Sequence, residues 1–243
     1  MNKFIPTIVS RPQSSNLMNV LVPVIAVILT LLTGSIIFSI MGFNPFFALH
    51  TFFISPISTS YGISELLVKA TPLALIAIGL AFCFKNNIYN IGAEGQLTMG
   101  AIFGGGIGIY FYDTNAFWLL PLMILGGAIG GALWAMIPAL LKTKFNTNEI
   151  LTSLMLVYVA LLILDYLVVG PWKDPLGYSF PKTRQFSESG RMPLLFSGLR
   201  VHFGLIITLV LIFFSWFIFS KTIFGFQLKV SGYSPTAARY AGF

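Results

Sequence analysis

Across 243 residues, 56% are hydrophobic and only 9% charged, with a mean hydropathy of +0.88; soluble domains carry roughly 25% charged residues, so an ordinary soluble enzyme or binding module is excluded. The 14 Lys+Arg exceed the 7 Asp+Glu for a net charge of +7, but the cations stand singly at the ends of apolar runs, which signals topology and excludes a nucleic-acid-binding patch. One cysteine, Cys83, excludes an intrachain disulfide, and His50 and His202 have no second ligand at metal-binding spacing, so neither metal nor cofactor is expected.

The apolar runs are continuous and do not alternate, which predicts an all-α integral membrane protein and not a barrel. Met1 to Asn16, with Lys3 and Arg11, reads as a polar lead. Leu17 to Met41 is long enough to cross roughly 30 Å of hydrocarbon at 1.5 Å per residue, and no small-residue cleavage pattern follows it, so it is expected to stay as an anchor. Gly42 to Lys69 is rich in Phe, Ser and Pro and is expected outside, with a short surface helix near Ser64 to Lys69. Ala70 to Phe84 is apolar but short, predicting a short or broken second helix.

It runs into Asn90-Ile91-Gly92-Ala93-Glu94-Gly95-Gln96-Leu97, where a carboxylate and two amides stand between apolar segments. A carboxylate at membrane depth costs about 2.5–3.5 kcal/mol on insertion scales and usually faces a bundle interior or a solute path. Glu94 is accordingly a pathway candidate; the alternatives are a headgroup-level position or a place at a helix N-terminus. Asn90 and Gln96 share the candidacy as hydrogen-bonding groups, and Tyr89 as a stacking ring or an ordinary interfacial tyrosine.

Ile91 to Tyr112 carries Gly100, Gly104 and Gly108 at four-residue intervals, and Phe117 to Leu141 repeats the spacing with Gly126/Gly130 and Gly127/Gly131. Close helix packing explains these glycines better than a ligand role. Asn146 and Glu149 form an expected N-cap and N3 pair for a helix reaching about Val169, with Asp165 near its outer end. Gly170 to Arg200 reads as an external loop, Val201 to Ser220 as the sixth crossing, and Lys221 to Phe243 as an inner tail. With the N-terminus inside, Lys3, Arg11, Lys85, Lys142, Lys144, Lys221, Lys229 and Arg239 fall in the cytoplasm. Lys69, Lys173, Lys182, Arg184, Arg191 and Arg200 fall outside, most of them in one long loop that counts little toward orientation.

The tail Ser231-Gly232-Tyr233-Ser234-Pro235-Thr236-Ala237-Ala238-Arg239-Tyr240-Ala241-Gly242 predicts a short helix with proline in its first turn, small alanines and a tyrosine turned inward. Together with the Asn90–Leu97 block and Asn148-Glu149-Ile150-Leu151-Thr152-Ser153-Leu154-Met155-Leu156, it resembles the permease subunits of ATP-binding-cassette importers. The branch is that of the ribose-type and branched-chain amino acid permeases, and the likeness is strongest to simple-sugar and nucleoside permeases. Val157 departs from the family's pattern, which has asparagine there. The resemblance implies that the region around the first block lines the solute path. It also implies that the tail is a coupling helix docking on an ATP-binding subunit, with Gly232, Pro235, Ala237, Ala238, Arg239, Tyr240 and Gly242 as its working residues. A second permease subunit, most simply a paralogue, and an external substrate-binding lipoprotein complete the implied assembly in a bacterial inner membrane. Family members continue past this segment, so the chain, one permease domain over 1–243, is expected to be incomplete at its C-terminus.

No G-x-x-x-x-G-K-[ST] occurs, and Gly104-Gly105-Gly106 lacks the lysine of a phosphate cradle, so ATP is expected to be hydrolysed elsewhere. A proton-coupled carrier using Glu94 is the competing expectation. A membrane enzyme ranks last, for want of a nucleophile-base pair.

Overall fold

The computed structural model describes residues 15–178 and 180–243. The expected polar lead, apart from Ser15 and Asn16, lies outside the described residues. The chain divides into two compact units, Met1–Ile63 and Ser64–Phe243. Among the described residues it is almost wholly helical, with only two isolated bridges, Lys173 to Thr183 and Leu194 to His202.

In the first unit, α1 (Asn16–Ile40) carries Pro23 inside the helix, where its missing N–H removes one backbone bond without ending it. The following α2 (Pro45–Phe53) begins at Asn44, whose side chain accepts from the N–H groups of Phe46 and Phe47. That is the usual asparagine cap, with proline at the first helical position.

The helix α3 spans Ser60–Lys85 without interruption, which corrects two expectations: Ser64 to Lys69 is not a separate surface helix, and the second apolar helix is neither short nor broken. Polar residues hid its first turns from a reading of hydrophobic runs. The structure gives each a partner or a seat: Ser64 and Thr71 are buried, the Thr71 hydroxyl donates to the Leu67 carbonyl at 2.7 Å, and Glu65 pairs with Arg200 at 3.3 Å. Pro72 removes one backbone bond without ending the helix.

Three helices form the tight centre of the second unit: α4 (Ala93–Tyr110), α5 (Leu119–Phe145) and α6 (Glu149–Val169). One face of α4 lies antiparallel against α5. A Cβ on Gly100 would come within 3.0 Å of the Gly127 carbonyl oxygen, one on Gly104 within 2.7 Å of Met123 O, and one on Gly131 within 3.1 Å of Gln96 O. Backbone meets backbone there, the approach that small residues at four-residue spacing permit. Gly126 and Gly130 instead receive the side chains of Ile107 and Phe103, and Gly108 receives Met123 and Phe186.

A second face of α4, Gly92, Gly95, Met99 and Ile102, packs parallel to α6. Cβ atoms on the two glycines would lie 2.8 Å from Ser153 Cβ and 2.9 Å from Val157 Cα. Met99 and Ile102 join Ala160 in a buried cluster flanked by Trp134, Ile163 and Trp172. Val157 is 6% exposed, so the position that departs from the family pattern is a packing position here.

Asn146 does not cap α6. It ends α5 in the left-handed conformation, at φ +52°, and Asn148 is the N-cap, its side chain accepting from Ile150 and Leu151 N–H. Asparagine tolerates positive φ, and two asparagines separated by one residue let one helix stop and the next start within three residues. Lys142 and Glu149 then close the turn with an ion pair of 2.9 Å.

Residues 170–203 fold over the opposite end of this core. Phe186 covers Gly108, the Ser189 hydroxyl bridges the Ala116 N–H and the Thr114 carbonyl, and the Arg184 guanidinium lies 4.5 Å above the Tyr112 ring. The chain then returns through α7 (Gly204–Lys221) to α8 (Ile223–Tyr233) and α9 (Pro235–Tyr240).

Five described helices are long and apolar enough to cross a membrane: α1, α3, α5, α6 and α7. The 18-residue α4 falls outside that group because Glu94, Gln96 and its glycines dilute its apolar character, yet it runs between the two ends of the same core.

Candidate functional site

The connection between α3 and α4 carries the motif singled out in the sequence, and it is an interhelix turn, not a break within a helix. Asn87 turns the chain at φ +57°. Asn90 then organises the entry into α4: its Oδ1 accepts from Gly92 N–H at 2.9 Å and from Gln96 Nε2 at 3.3 Å, while its Nδ2 donates to Gln96 Oε1 at 3.2 Å. The Ser153 hydroxyl accepts from Ile91 N–H at 3.2 Å, tying the turn to α6.

Asn90 and Gln96 are the polar wall shared by two adjoining hollows between α3, α4 and α5. One, of about 310 Å³, extends toward Pro138, Lys142 and Glu149. The other, of about 420 Å³, extends along Leu75, Ile76 and Gly79 of α3. After their mutual bonds each amide nitrogen keeps one N–H, and Gln96 Oε1 keeps a lone pair. The wall therefore offers two donors and an acceptor beside largely apolar lining, with the Lys142–Glu149 pair at the far side of the first hollow, a combination suited to orienting a hydroxyl-bearing solute.

The remaining two pathway candidates stand apart. Glu94 lies in the first turn of α4 with its side chain exposed, where a carboxylate complements the helix dipole; it lines neither hollow. Tyr89 is 52% exposed and sits with its ring 5.8 Å from that of Phe84. Sequence reasoning missed Lys142 and Glu149 as lining groups, although their opposite charges at the two sides of a helix-helix turn were a usable signal.

At the same end of the unit, Thr222 breaks the chain out of α7 and caps α8, its Oγ1 accepting from Gly225 N–H at 3.1 Å. Gly225 lets α8 fold back on α7, since a Cβ there would meet Phe219 Cα at 2.7 Å. Ser234 caps α9 from its hydroxyl, with Pro235 in the first turn. Gly242, at φ +82°, ends α9 in a Schellman motif: Phe243 N–H donates to Ala238 O at 2.9 Å and Gly242 N–H to Arg239 O at 3.1 Å.

Ala238 is 3% exposed and forms the inner face of α9, whereas Tyr240 is 98% exposed. The tyrosine expected to turn inward therefore points out, beside the exposed Ala237 and Arg239. Gly232 serves a close approach, because a Cβ there would strike the Lys85 carbonyl oxygen.

The described residues thus combine membrane-length helices, hollows of about 310 and 420 Å³ between them, and a capped helix pair at one end. Residues 62–243 match the family described as branched-chain amino acid transport system / permease component, and the chain belongs to that family. It is 35% identical to the glucose ABC transporter permease protein TsgB13 of Haloferax volcanii, over 90% of this chain and 60% of the relative. It is 32% identical to the guanosine ABC transporter permease protein NupP of Bacillus subtilis, over 93% and 65%. Identity to the nucleoside ABC transporter permease protein NupB of Lactococcus lactis is 30%, over 92% and 63%. The chain thus spans less than two thirds of the length of these relatives. No solved structure matches it.

Proposed function

We propose that this chain is the membrane-spanning part of an ATP-binding-cassette importer permease that moves a sugar or nucleoside across a bacterial inner membrane. A separate ATP-binding subunit supplies the energy, a second permease subunit completes the conduit, and an external binding lipoprotein delivers the solute. The observation that supports the reading is the α8–α9 pair: two capped helices that leave Ala237, Arg239 and Tyr240 exposed, as a docking surface for an ATP-binding subunit requires. The names of the relatives favour the same reading and give a proton-coupled carrier no support; Glu149, the one carboxylate among the described residues lining these two hollows, is held in an ion pair with Lys142. Amides do not titrate near neutral pH, and Glu94 stands outside the hollows.

Orientation follows from charge. Lys85, Lys142, Lys144, Lys221, Lys229 and Arg239 gather at the end that carries α8–α9, in short connections, and the cations of the other end lie almost wholly in the 170–203 loop. Short basic loops stay on the cytoplasmic side, which puts α8–α9 within reach of a cytosolic partner.

The test is uptake into vesicles holding the assembled importer, with labelled guanosine and glucose compared. Gln96→Met keeps side-chain length and removes the Gln96 amide from the hollow. With the Gln96 amide gone and the Asn90 amide left in place, uptake is expected to fall about tenfold, the worth of one or two lost hydrogen bonds, with membrane insertion unchanged. Wild-type uptake that survives ATP depletion and collapses with an uncoupler would refute the importer reading.

A further inference from the structure

A third hollow, about 600 Å³, opens between the C-terminal end of α3 and α8, lined by Phe84, Lys85, Asn87, Lys229, Gly232 and Tyr233. The close approach at Gly232 builds it. No carboxylate is among its lining residues, and among the described residues neither lysine takes part in an ion pair. Two ammonium groups lining one hollow repel each other until an anion lies between them. Asn87 adds a neutral donor, so the lining suits a ligand whose oxygens accept several hydrogen bonds at once.

The geometry points to the phosphate headgroup of an anionic phospholipid as that ligand. The hollow opens where α3, a membrane-length helix, ends at Lys85, which is headgroup level. Phe84 is 52% exposed and stands beside Tyr89, the aromatic pair expected at the boundary between headgroups and acyl chains. Above it Leu73 of α3, 65% exposed and on the same face of the helix as Phe84, offers apolar contact for an acyl chain. Basic pockets at helix ends hold lipid headgroups by this combination. The inference needs only that the chain be a membrane protein and is independent of the transport reading.

Native mass spectrometry of the full chain in neutral detergent tests it, with phosphatidylglycerol, phosphatidylcholine or inorganic phosphate added in turn. The wild-type chain is expected to retain one phosphatidylglycerol in preference to phosphatidylcholine. K85A/K229A is expected to bind it roughly 30-fold more weakly, from about 1 kcal/mol per basic residue, and K85R/K229R is expected to restore retention. Both lysines are exposed, and the headgroup preference of the wild-type chain can be read even if a variant misfolds. Equal retention of the two lipids, or of phosphatidylglycerol by wild type and K85A/K229A, would overturn the assignment. So would inorganic phosphate bound as firmly as the lipid, or lysine variants that lose only an ATP-binding subunit and keep the lipid.

Discussion

Gly104→Leu is expected to leave little folded protein in the membrane, while the neighbouring Gly105→Ala accumulates normally. Even the single carbon of Gly104→Ala lands 2.7 Å from the Met123 carbonyl oxygen. That atom belongs to α5 backbone and cannot swing aside as a side chain would, so α4 must move off α5 and release the contacts on either side. Overpacking by one or two carbons costs about 1–3 kcal/mol, and leucine adds three more in a seam with no lateral room. At Gly105 the only neighbour of an added Cβ is the far edge of the Phe186 ring at 3.7 Å, and alanine is the better helix former. Thermal unfolding in detergent is the readout: Gly104→Ala should melt well below Gly105→Ala, with Gly104→Leu too unstable to isolate. Matched melting of the two alanine variants would mean that α4 and α5 do not meet backbone to backbone.

The second large effect concerns the α8–α9 pair. Arg239→Glu reverses a charge on an exposed turn that makes no salt bridge within the described residues, so the fold should hold. Uptake is expected to fall by at least about tenfold, because like charge at a docking surface costs several kcal/mol. Stimulation of ATP hydrolysis by the loaded binding protein should disappear with it. Ala238→Trp reaches the same end by another route: the site is 3% exposed, and an indole there pries α9 from its seat and removes the shape the partner reads. Both variants should insert into the membrane as wild type does. Unchanged uptake and unchanged stimulation in both would remove α9 from the coupling machinery.

The helical membrane class and most helix positions were legible because long apolar runs have only one physical use. The glycine spacing announced close packing, but spacing alone does not tell which glycines meet backbone. Gly127 and Gly131 touch α4 backbone, whereas Gly126 and Gly130 accept its side chains. What hydropathy concealed was a polar helix start whose support lies far away in sequence: Ser64 and Glu65, expected in a separate surface helix, stand in the first turns of α3, where Glu65 pairs with Arg200. Asn146 looked like a cap because it stands three residues before Glu149; the local backbone decides otherwise, giving it the left-handed position and the cap to Asn148. At the candidate site Asn90 and Gln96 do meet, while Glu94, two residues before Gln96, lies on a different side of α4. One residue is 100° of helix, and the sequence does not say which side faces the hollow.

The most direct test of the central claim, that α8–α9 is the surface a cytosolic ATP-binding subunit grips, is the labelling of one engineered cysteine. Cys83 is the single cysteine of the chain, so Tyr240→Cys in a Cys83→Ser background presents one thiol at a site that is 98% exposed. A membrane-impermeant maleimide should label it in inside-out vesicles, fail to label it in intact cells, and lose access when the ATP-binding subunit is bound. Labelling from the outside of intact cells would contradict the claim, because no cytosolic motor could then reach the segment.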